Sequence, residues 1–281
     1  MKIQYLGTAA AERIPAIFCN CPTCQKALKL GGKNVMTHSQ VLLDDTLLVD
    51  LSCDTWHHFL ALGKTVEAIG HVLITHSHYD HFSLDELLFR STGMAKDPSA
   101  KTLNVYASAD VIQKIKERLA ASSAKKQLQM VGRLTLHTLE YYVPSEICGF
   151  TVTPFPATHA GDENAMIFLI EKDGKAMFYG NDTGVFTTEI DDYLATNGKH
   201  VDLLSLDCTK GNQPFLYNHH MCMAEGRKIA DRFFKKGILD QSSLLYYTHF
   251  SHNCGNVHDE LAEIAKQYGF SITHDGFIIE L

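Results

Sequence analysis

The sequence lacks the marks of a membrane protein and of a secreted one. No apolar run reaches the roughly 18 residues that a membrane-spanning helix needs. The first seven residues have neither the basic stretch nor the apolar core of a signal peptide, and they read as a strand. We therefore expect a cytoplasmic protein. Its eight cysteines are then expected to be thiols or metal ligands before disulfides.

The sequence also lacks an excess of basic over acidic residues. The net charge is -7 with histidine neutral, which argues against a broad nucleic-acid-binding surface. Linkers, low-complexity tracts and short-period repeats are absent from the sequence as well. The chain of 281 residues is thus expected to form a single domain, residues 1–281.

The hydrophobic pattern predicts an α/β (α+β) protein. Strands dominate the first half, and strands and helices alternate in the second, which favours packed sheets with helices outside. Residues 9–40 are expected to form a long functional loop with a short helix near 25–30. The predicted strands are 2–6, 41–43, 47–51, 71–75, 104–107, 134–139, 150–156, 166–171, 176–180, 201–207, 244–247 and 277–281. The predicted helices are 55–62, 83–90, 109–120, 223–234 and 257–268.

Histidine is abundant, and one group of histidines stands directly after a predicted strand. His76, His78, Asp80 and His81 fall within six residues after the apolar strand 71–75. Four such groups cannot be buried unpaired without a large cost, whereas a strand-to-loop transition can direct them at one cation. Imidazole and carboxylate ligands suit zinc, manganese or iron. The alternative, a solvated histidine-rich loop, fits this spacing poorly.

This motif resembles the His-x-His-x-Asp-His signature of the metallo-β-lactamase superfamily, whose fold is an αββα sandwich. The resemblance implies further ligands at the ends of later strands: His159, Asp182 and His249 occur in the expected order. It also implies two divalent cations. One would be held by His76, His78 and His159, the other by Asp80, His81 and His249, with Asp182 between them. Two such cations lower the pKa of a shared water and supply a nucleophile near neutral pH.

A second group of ligand-type residues occurs in the long N-terminal loop. Cys19, Cys21 and Cys24 have a compact spacing that suits a tetrahedral structural zinc, which needs one more ligand. His252 is available for that role if His249 serves the active site. Reactive thiols are the alternative interpretation of the three cysteines.

The histidine motif and the cysteine loop together resemble one branch of the superfamily more than the others. Gly7-Thr8 after the first strand, the Cys-x-Cys-Pro-x-Cys loop and the final His-x-x-His are similar to the phosphoribosyl 1,2-cyclic phosphate phosphodiesterases of bacterial phosphonate breakdown. The pyrroloquinoline-quinone biosynthesis branch is similar in the cysteine loop. The first resemblance implies that Asp80 both binds metal and orients the nucleophile. It further implies a histidine general acid before the helix 223–234, which is His220 or, as the alternative, His219.

The expected function is therefore hydrolysis of a small cyclic phosphodiester with two active-site cations and one structural zinc. The loop 9–13 lacks the glycines often seen after the first strand in this family, which puts the substrate in doubt. A nuclease, a thioester or lactone hydrolase and a non-catalytic cofactor-biosynthesis protein are the alternatives. The expected partner is the substrate, not a membrane or a nucleic acid, and a homodimer stays an open alternative to the monomer.

Overall fold

Two mixed β-sheets form the centre of the molecule. A computed structural model describes residues 1–214 and 218–281, and within these ranges each sheet has seven strands. The strands are β1 (Lys2–Gly7), β2 (Gln40–Leu43), β3 (Leu47–Val49), β4 (His71–Leu73), β5 (Leu103–Ala107), β6 (Leu134–Thr138), β7 (Ser145–Ile147), β8 (Phe150–Pro156), β9 (Met166–Lys172), β10 (Lys175–Gly180), β11 (Leu203–Asp207), β12 (Leu244–Thr248), β13 (Ser271–Ile272) and β14 (Phe277–Glu280).

The strand order separates the two halves of the chain. The first sheet has the order β14-β1-β2-β3-β4-β5-β6, and the second has β13-β12-β11-β10-β9-β8-β7. Strands β3 to β6 run parallel, and β10, β11 and β12 also run parallel to one another. Since β8 and β10 are both antiparallel to β9, β8 ends at the same edge as β10, β11 and β12.

The helices cover the outer faces of the sheets. They are α1 (Pro22–Leu30), α2 (Thr55–Ala61), α3 (Leu84–Leu88), α4 (Ala109–Ala120), α5 (Ala124–Met130), α6 (Thr188–Thr196), α7 (Met223–Lys235) and α8 (His258–Lys266), with 3₁₀ turns at Gly32–Asn34, Val66–Ala68 and His252–Cys254. Within the described ranges, none of them has the length and apolar character that a bilayer span requires.

Three apolar clusters account for this layering. The cluster between the sheets joins residues such as Val41 and Val49 of the first sheet to Val152 and Phe168 of the second. A second cluster packs α6, α7 and α8 on the outer face of the second sheet. The third packs α2, α3 and α4 on the outer face of the first sheet. The αββα sandwich expected from the sequence is thereby confirmed.

The predicted elements agree with the structure to within about two residues at most ends, with some omissions. Helix α1 begins at Pro22, three residues before the predicted start, because Pro22 occupies the first helical position, where a missing amide is tolerated. The elements β7, α5, α6 and β13 were not predicted. Three of them are short, since β7 has three residues, α5 seven and β13 only two, whereas α6 has nine.

Candidate metal centre

The predicted ligands meet at the edge where the parallel strands end. His76–His81 follow β4, His159 follows β8, Asp182 follows β10 and His249 follows β12. Asp182 and His249 have positive φ angles of 49° and 61°, a left-handed conformation that is uncommon outside glycine. Such backbone outliers concentrate at functional sites, where the surrounding structure holds them in place.

One group consists of three imidazoles that face each other. Nε2 of His76 lies 3.0 Å from Nδ1 of His78, and Nε2 of His159 lies 3.1 Å from the same atom. Asp182 joins this group. Three ring nitrogens at these separations repel one another unless a cation or proton lies between them, so they form a suitable ligand set.

The second group lies on the other side of Asp182. Nε2 of His81 is 3.3 Å from Oδ2 of Asp80 and 3.1 Å from Oδ2 of Asp182. His249 completes this group, with Nε2 3.7 Å from Oδ2 of Asp182. Because the same Asp182 oxygen also lies 3.3 Å from Nε2 of His76, this carboxylate stands between the two groups.

The inward-facing atoms of this centre fit a cation. Three buried atoms have ion-pair contacts between 3.0 and 3.7 Å but no well-oriented hydrogen bond among the described residues: Nε2 of His81, Oδ1 of Asp182 and Nε2 of His249. The opposite ring nitrogens are held, since Nδ1 of His81 lies 2.7 Å from Asp50 and Nδ1 of His249 lies 2.7 Å from Oγ1 of Thr209. Anchoring the outer nitrogen in this way fixes the ring and leaves the inner one free to coordinate metal.

Burial and neighbouring imidazoles set the charge of the carboxylates. Burial alone raises the pKa of Asp182, but His249, His220, His76 and His81 outweigh it and hold that pKa well below its usual value. Burial also raises the pKa of Asp80, but the neighbouring His81 outweighs this effect and the pKa of Asp80 is lowered. Both carboxylates are therefore ionised at neutral pH and available as ligands.

His220, the predicted general acid, lies beside Asp182. Its Nδ1 is 3.0 Å from Oδ1 of Asp182 and 3.2 Å from Oδ2 of Asp207. Burial lowers its pKa, but these two carboxylates outweigh that effect and raise the pKa to about 11. The alternative candidate, His219, holds His159 through its backbone carbonyl, 3.1 Å from Nδ1 of that ring. His220 lines the pocket, whereas the side chain of His219 does not.

A close approach of two loops places His220. A Cβ atom on Gly184 would lie 1.6 Å from the carbonyl oxygen of Asn218, so only glycine allows this contact. Gly184 follows Asp182 by two residues, and Asn218 precedes His220 by two. The glycine thus brings the central carboxylate and His220 together.

Several supporting residues were not predicted. Asp50 and Asp207 are fully buried behind the ligands, and Thr209 lies between Asp207 and His249. Glu163 accepts hydrogen bonds from the backbone amide and hydroxyl of Ser77 at 2.6 Å each, which ties the His159 loop to the first motif. Asp50 follows β3 and Asp207 ends β11, so a position at a strand end was the available signal.

The cysteine loop forms a separate group with His252. Nδ1 of His252 lies 3.5 Å from Sγ of Cys19 and 3.4 Å from Sγ of Cys21, and Cys24 completes the set. The contact with His252 lowers the pKa of the Cys21 thiol to about 6. The spacing of these four ligands and the acidity of Cys21 fit a tetrahedral zinc. Arg13, which belongs to the same loop, forms an ion pair with Asp54, with Nε 2.7 Å from Oδ2.

This fold and this centre define a protein of the metallo-β-lactamase fold whose clustered histidines and aspartates could hold metal ions. The chain belongs to the beta-lactamase superfamily, since the sequence model of the Beta-lactamase superfamily domain matches residues 45–250. A UPF0173 metal-dependent hydrolase of Aeropyrum pernix is 32% identical over 125 residues, 43% of this chain and 48% of that protein. An octanoyltransferase of Porphyromonas gingivalis is 26% identical over 160 residues, 57% of this chain and 31% of that protein. The chain thus spans less than half the length of either relative.

Solved structures share the fold over the whole chain. A diphosphatase from the PhnP family superposes with a TM-score of 0.73 at 19% identity, covering 100% of this chain and 97% of that one. Zn(2+)-bound PqqB from Methylobacterium extorquens gives a TM-score of 0.69 at 17% identity, with 100% of both chains covered. The short form of human tRNase Z gives 0.62 at 17% identity, with 100% and 99% covered.

Proposed function

We propose that the protein is a phosphodiesterase acting on a small cyclic or nucleotide-like phosphodiester. One observation carries this proposal: a histidine outside the two ligand groups, His220, faces the pocket beside the central carboxylate Asp182. An alkoxide leaving group needs a proton, and an imidazole within reach of the reacting atoms supplies it at a rate gain of about 10²–10⁴-fold.

The roles of the side chains follow from their positions. His76, His78 and His159 would hold one divalent cation, Asp80, His81 and His249 the other, and Asp182 would contact both. When bound, the cation pair lowers the pKa of water and stabilises negative charge on the phosphoryl oxygens. Asp80 orients the attacking water, and His220, held by Asp207, protonates the departing oxygen. Zinc, manganese and iron all suit this donor set.

We further propose that Cys19, Cys21, Cys24 and His252 hold a structural zinc. Three thiolates favour zinc over manganese, and four protein ligands leave no position for substrate.

The similarity to the diphosphatase of the PhnP family supports the phosphodiesterase proposal at the level of the fold.

Hydrolysis of an acyl thioester is the second candidate. The observation that favours it is the similarity of 160 residues to an octanoyltransferase, a protein named for its eight-carbon acyl group. The metal centre alone is compatible with both reactions, because bound cations would stabilise the negative charge that develops on either an acyl or a phosphoryl oxygen.

A substrate panel with matched variants tests the proposal. Purified protein, with zinc or manganese added separately and its metal content measured, is assayed on bis(p-nitrophenyl) phosphate, ribose 1,2-cyclic phosphate, a short RNA, an octanoyl thioester and a lactone. We expect hydrolysis of the phosphodiesters and its loss in Asp80→Ala protein that remains folded. Preference for the thioester, or full phosphodiesterase activity in metal-loaded Asp80→Ala, would overturn the proposal.

A further inference from the structure

The pocket in front of the metal centre has an acidic residue in its wall. Its volume is about 340 Å³, and besides the ligand groups and His220 it is lined by the loop 10–12 and by Thr209, Lys210, Ser251 and Asn253. Glu12, at the end of this loop, is the one carboxylate among the described lining residues that belongs to neither ligand group.

The contacts of Glu12 join two parts of the molecule. Its Oε1 accepts hydrogen bonds from the Ser251 hydroxyl and, at 3.5 Å, from Nδ2 of Asn253. The same oxygen lies 3.7 Å from Nε2 of His252, whose Nδ1 faces Cys19 and Cys21. Glu12 therefore touches the pocket wall on one side and the histidine of the cysteine group on the other.

Two cations that neighbour Glu12 in the sequence or in the pocket wall, Arg13 and Lys210, pair with other carboxylates. Arg13 directs its guanidinium at Asp54, with nitrogen–oxygen distances of 2.7 and 3.0 Å. The Lys210 amine, which is buried, pairs with Glu225 at 2.9 Å. Oε2 of Glu12 makes no hydrogen bond or ion pair within residues 1–214 and 218–281, and the side chain is 31% exposed. This oxygen can accept a hydrogen bond from a substrate.

From this arrangement we propose that Glu12 determines substrate specificity and couples the pocket to the cysteine site. This inference rests on the proposed phosphodiesterase function. Oε2 of Glu12 can accept a hydrogen bond, so it favours a phosphodiester that carries hydroxyl groups elsewhere in the molecule. The negative charge of Glu12 disfavours a phosphodiester that carries a second phosphate, because like charges in a pocket repel. The hydroxyl-rich, otherwise uncharged cyclic phosphodiesters are thus the substrate class.

The coupling follows from the histidine contact. An imidazole that coordinates metal through Nδ1 carries its proton on Nε2, and a carboxylate near that proton fixes the ring. Glu12 would supply this contact to His252. In turn, an ordered His252 holds the carboxylate at the pocket wall, so that loss of the zinc would loosen the wall.

Glu12→Gln tests both statements, because it preserves size and removes the charge. The first measurement compares kcat and KM for ribose 1,2-cyclic phosphate with those for its 5-phosphorylated form. We expect the preference for the unphosphorylated substrate to fall about tenfold, through KM more than kcat. The second measurement follows zinc release from the isolated protein to a chromogenic chelator, and we expect zinc affinity to fall about 10–100-fold.

Glu263→Gln is the matched control, since Glu263 is exposed and pairs, within the described part of the chain, with the nearby Lys266. It is expected to leave the preference and zinc release unchanged. If both substrates are hydrolysed and Glu12→Gln keeps the wild-type preference, the specificity statement is wrong. Unchanged zinc release, in a variant with unaltered circular dichroism, overturns the coupling. If neither phosphodiester is hydrolysed, the proposed function has failed instead, and the zinc measurement still decides the coupling.

Discussion

Nδ1 of His81 lies 2.7 Å from Oδ2 of Asp50, and both side chains are fully buried. Asp50 also accepts hydrogen bonds from the amide and hydroxyl of Thr75, at 2.8 and 2.9 Å. The carboxylate keeps a proton on Nδ1 of His81, which leaves Nε2 free to face the centre.

Asp50→Asn is therefore expected to weaken cation binding without removing a ligand. The new amide can donate to Nδ1, which would place the proton of His81 on Nε2 and block coordination. We expect a loss of about 10–100-fold in cation affinity, measured by calorimetric titration of demetallated protein. Asp45→Asn, at an exposed carboxylate that pairs with Lys2 and Lys64, serves as the control. Equal affinity in the two variants would contradict the role of Asp50.

His220→Ala is expected to slow turnover by about 10²–10⁴-fold while the protein keeps its metal content. The loss should be large for an alkyl leaving group and small for p-nitrophenolate, which departs without a proton. His219→Ala is the comparison, because the backbone carbonyl that contacts His159 is retained in it. A slow His219→Ala protein beside a normal His220→Ala protein would show that the adjacent histidine is the acid.

Cys21→Ser is expected to lose one zinc per chain and to lower the melting temperature by about 5–10 °C, since metal binding to a site absent from the unfolded chain becomes folding energy. Some hydrolysis should persist at low temperature, because His249 is a separate ligand three residues from His252. Elemental analysis and thermal unfolding measure both effects, with the exposed Cys53 replaced by serine as the control. Unchanged zinc content in Cys21→Ser would exclude the proposed site.

His58 is expected to make stability depend on pH. Burial lowers its pKa to about 4, and its ring nitrogens lie 2.7 Å from Gln40 and 2.6 Å from Thr37. Between pH 6.5 and 4 the unfolded chain binds a proton at this position and the folded chain does not, so the free energy of unfolding falls as the pH falls. A shift of this size corresponds to about 3 kcal/mol over the window.

Chemical unfolding of wild-type and His58→Gln protein at a series of pH values measures this contribution. The difference between the two proteins should shrink by up to about 3 kcal/mol from pH 6.5 to pH 4, while titrations common to both cancel. His57→Gln changes an exposed neighbour in the same helix and is the control. Parallel stability curves for wild-type and His58→Gln would refute the assignment.

The ligand motif could be predicted because its chemistry is local. Four ligand-type residues within six positions are visible in any sequence, and the later candidate ligands could be located because the resemblance to the metallo-β-lactamase superfamily implies ligands at the ends of later strands. Asp50, Asp207 and Glu12 were missed, since each is a lone acidic residue whose partners come from distant segments, and the strand-end position of the first two is a weak signal by itself.

The secondary structure was predictable for a related reason. Strands β4, β8 and β10 are largely buried and rich in β-branched or aromatic residues, a composition that is visible without tertiary information. Helix α6 was missed although Ile190 and Leu194 lie on one face, because its nine residues include three acidic ones that dilute the pattern. Strand β13 exists only through its pairing with β12, which the sequence does not reveal.

Every candidate ligand of the active-site cations lies in a loop beyond a strand, whereas the side chains that hold the sheets together lie within the strands. Reactivity and thermal stability therefore depend on largely different positions. A combinatorial library restricted to the pocket-wall residues Ala10, Ala11, Glu12, Ser251 and Asn253 would vary the pocket wall and spare the apolar layer between the sheets. Selection for a new substrate could then proceed without first restoring the fold.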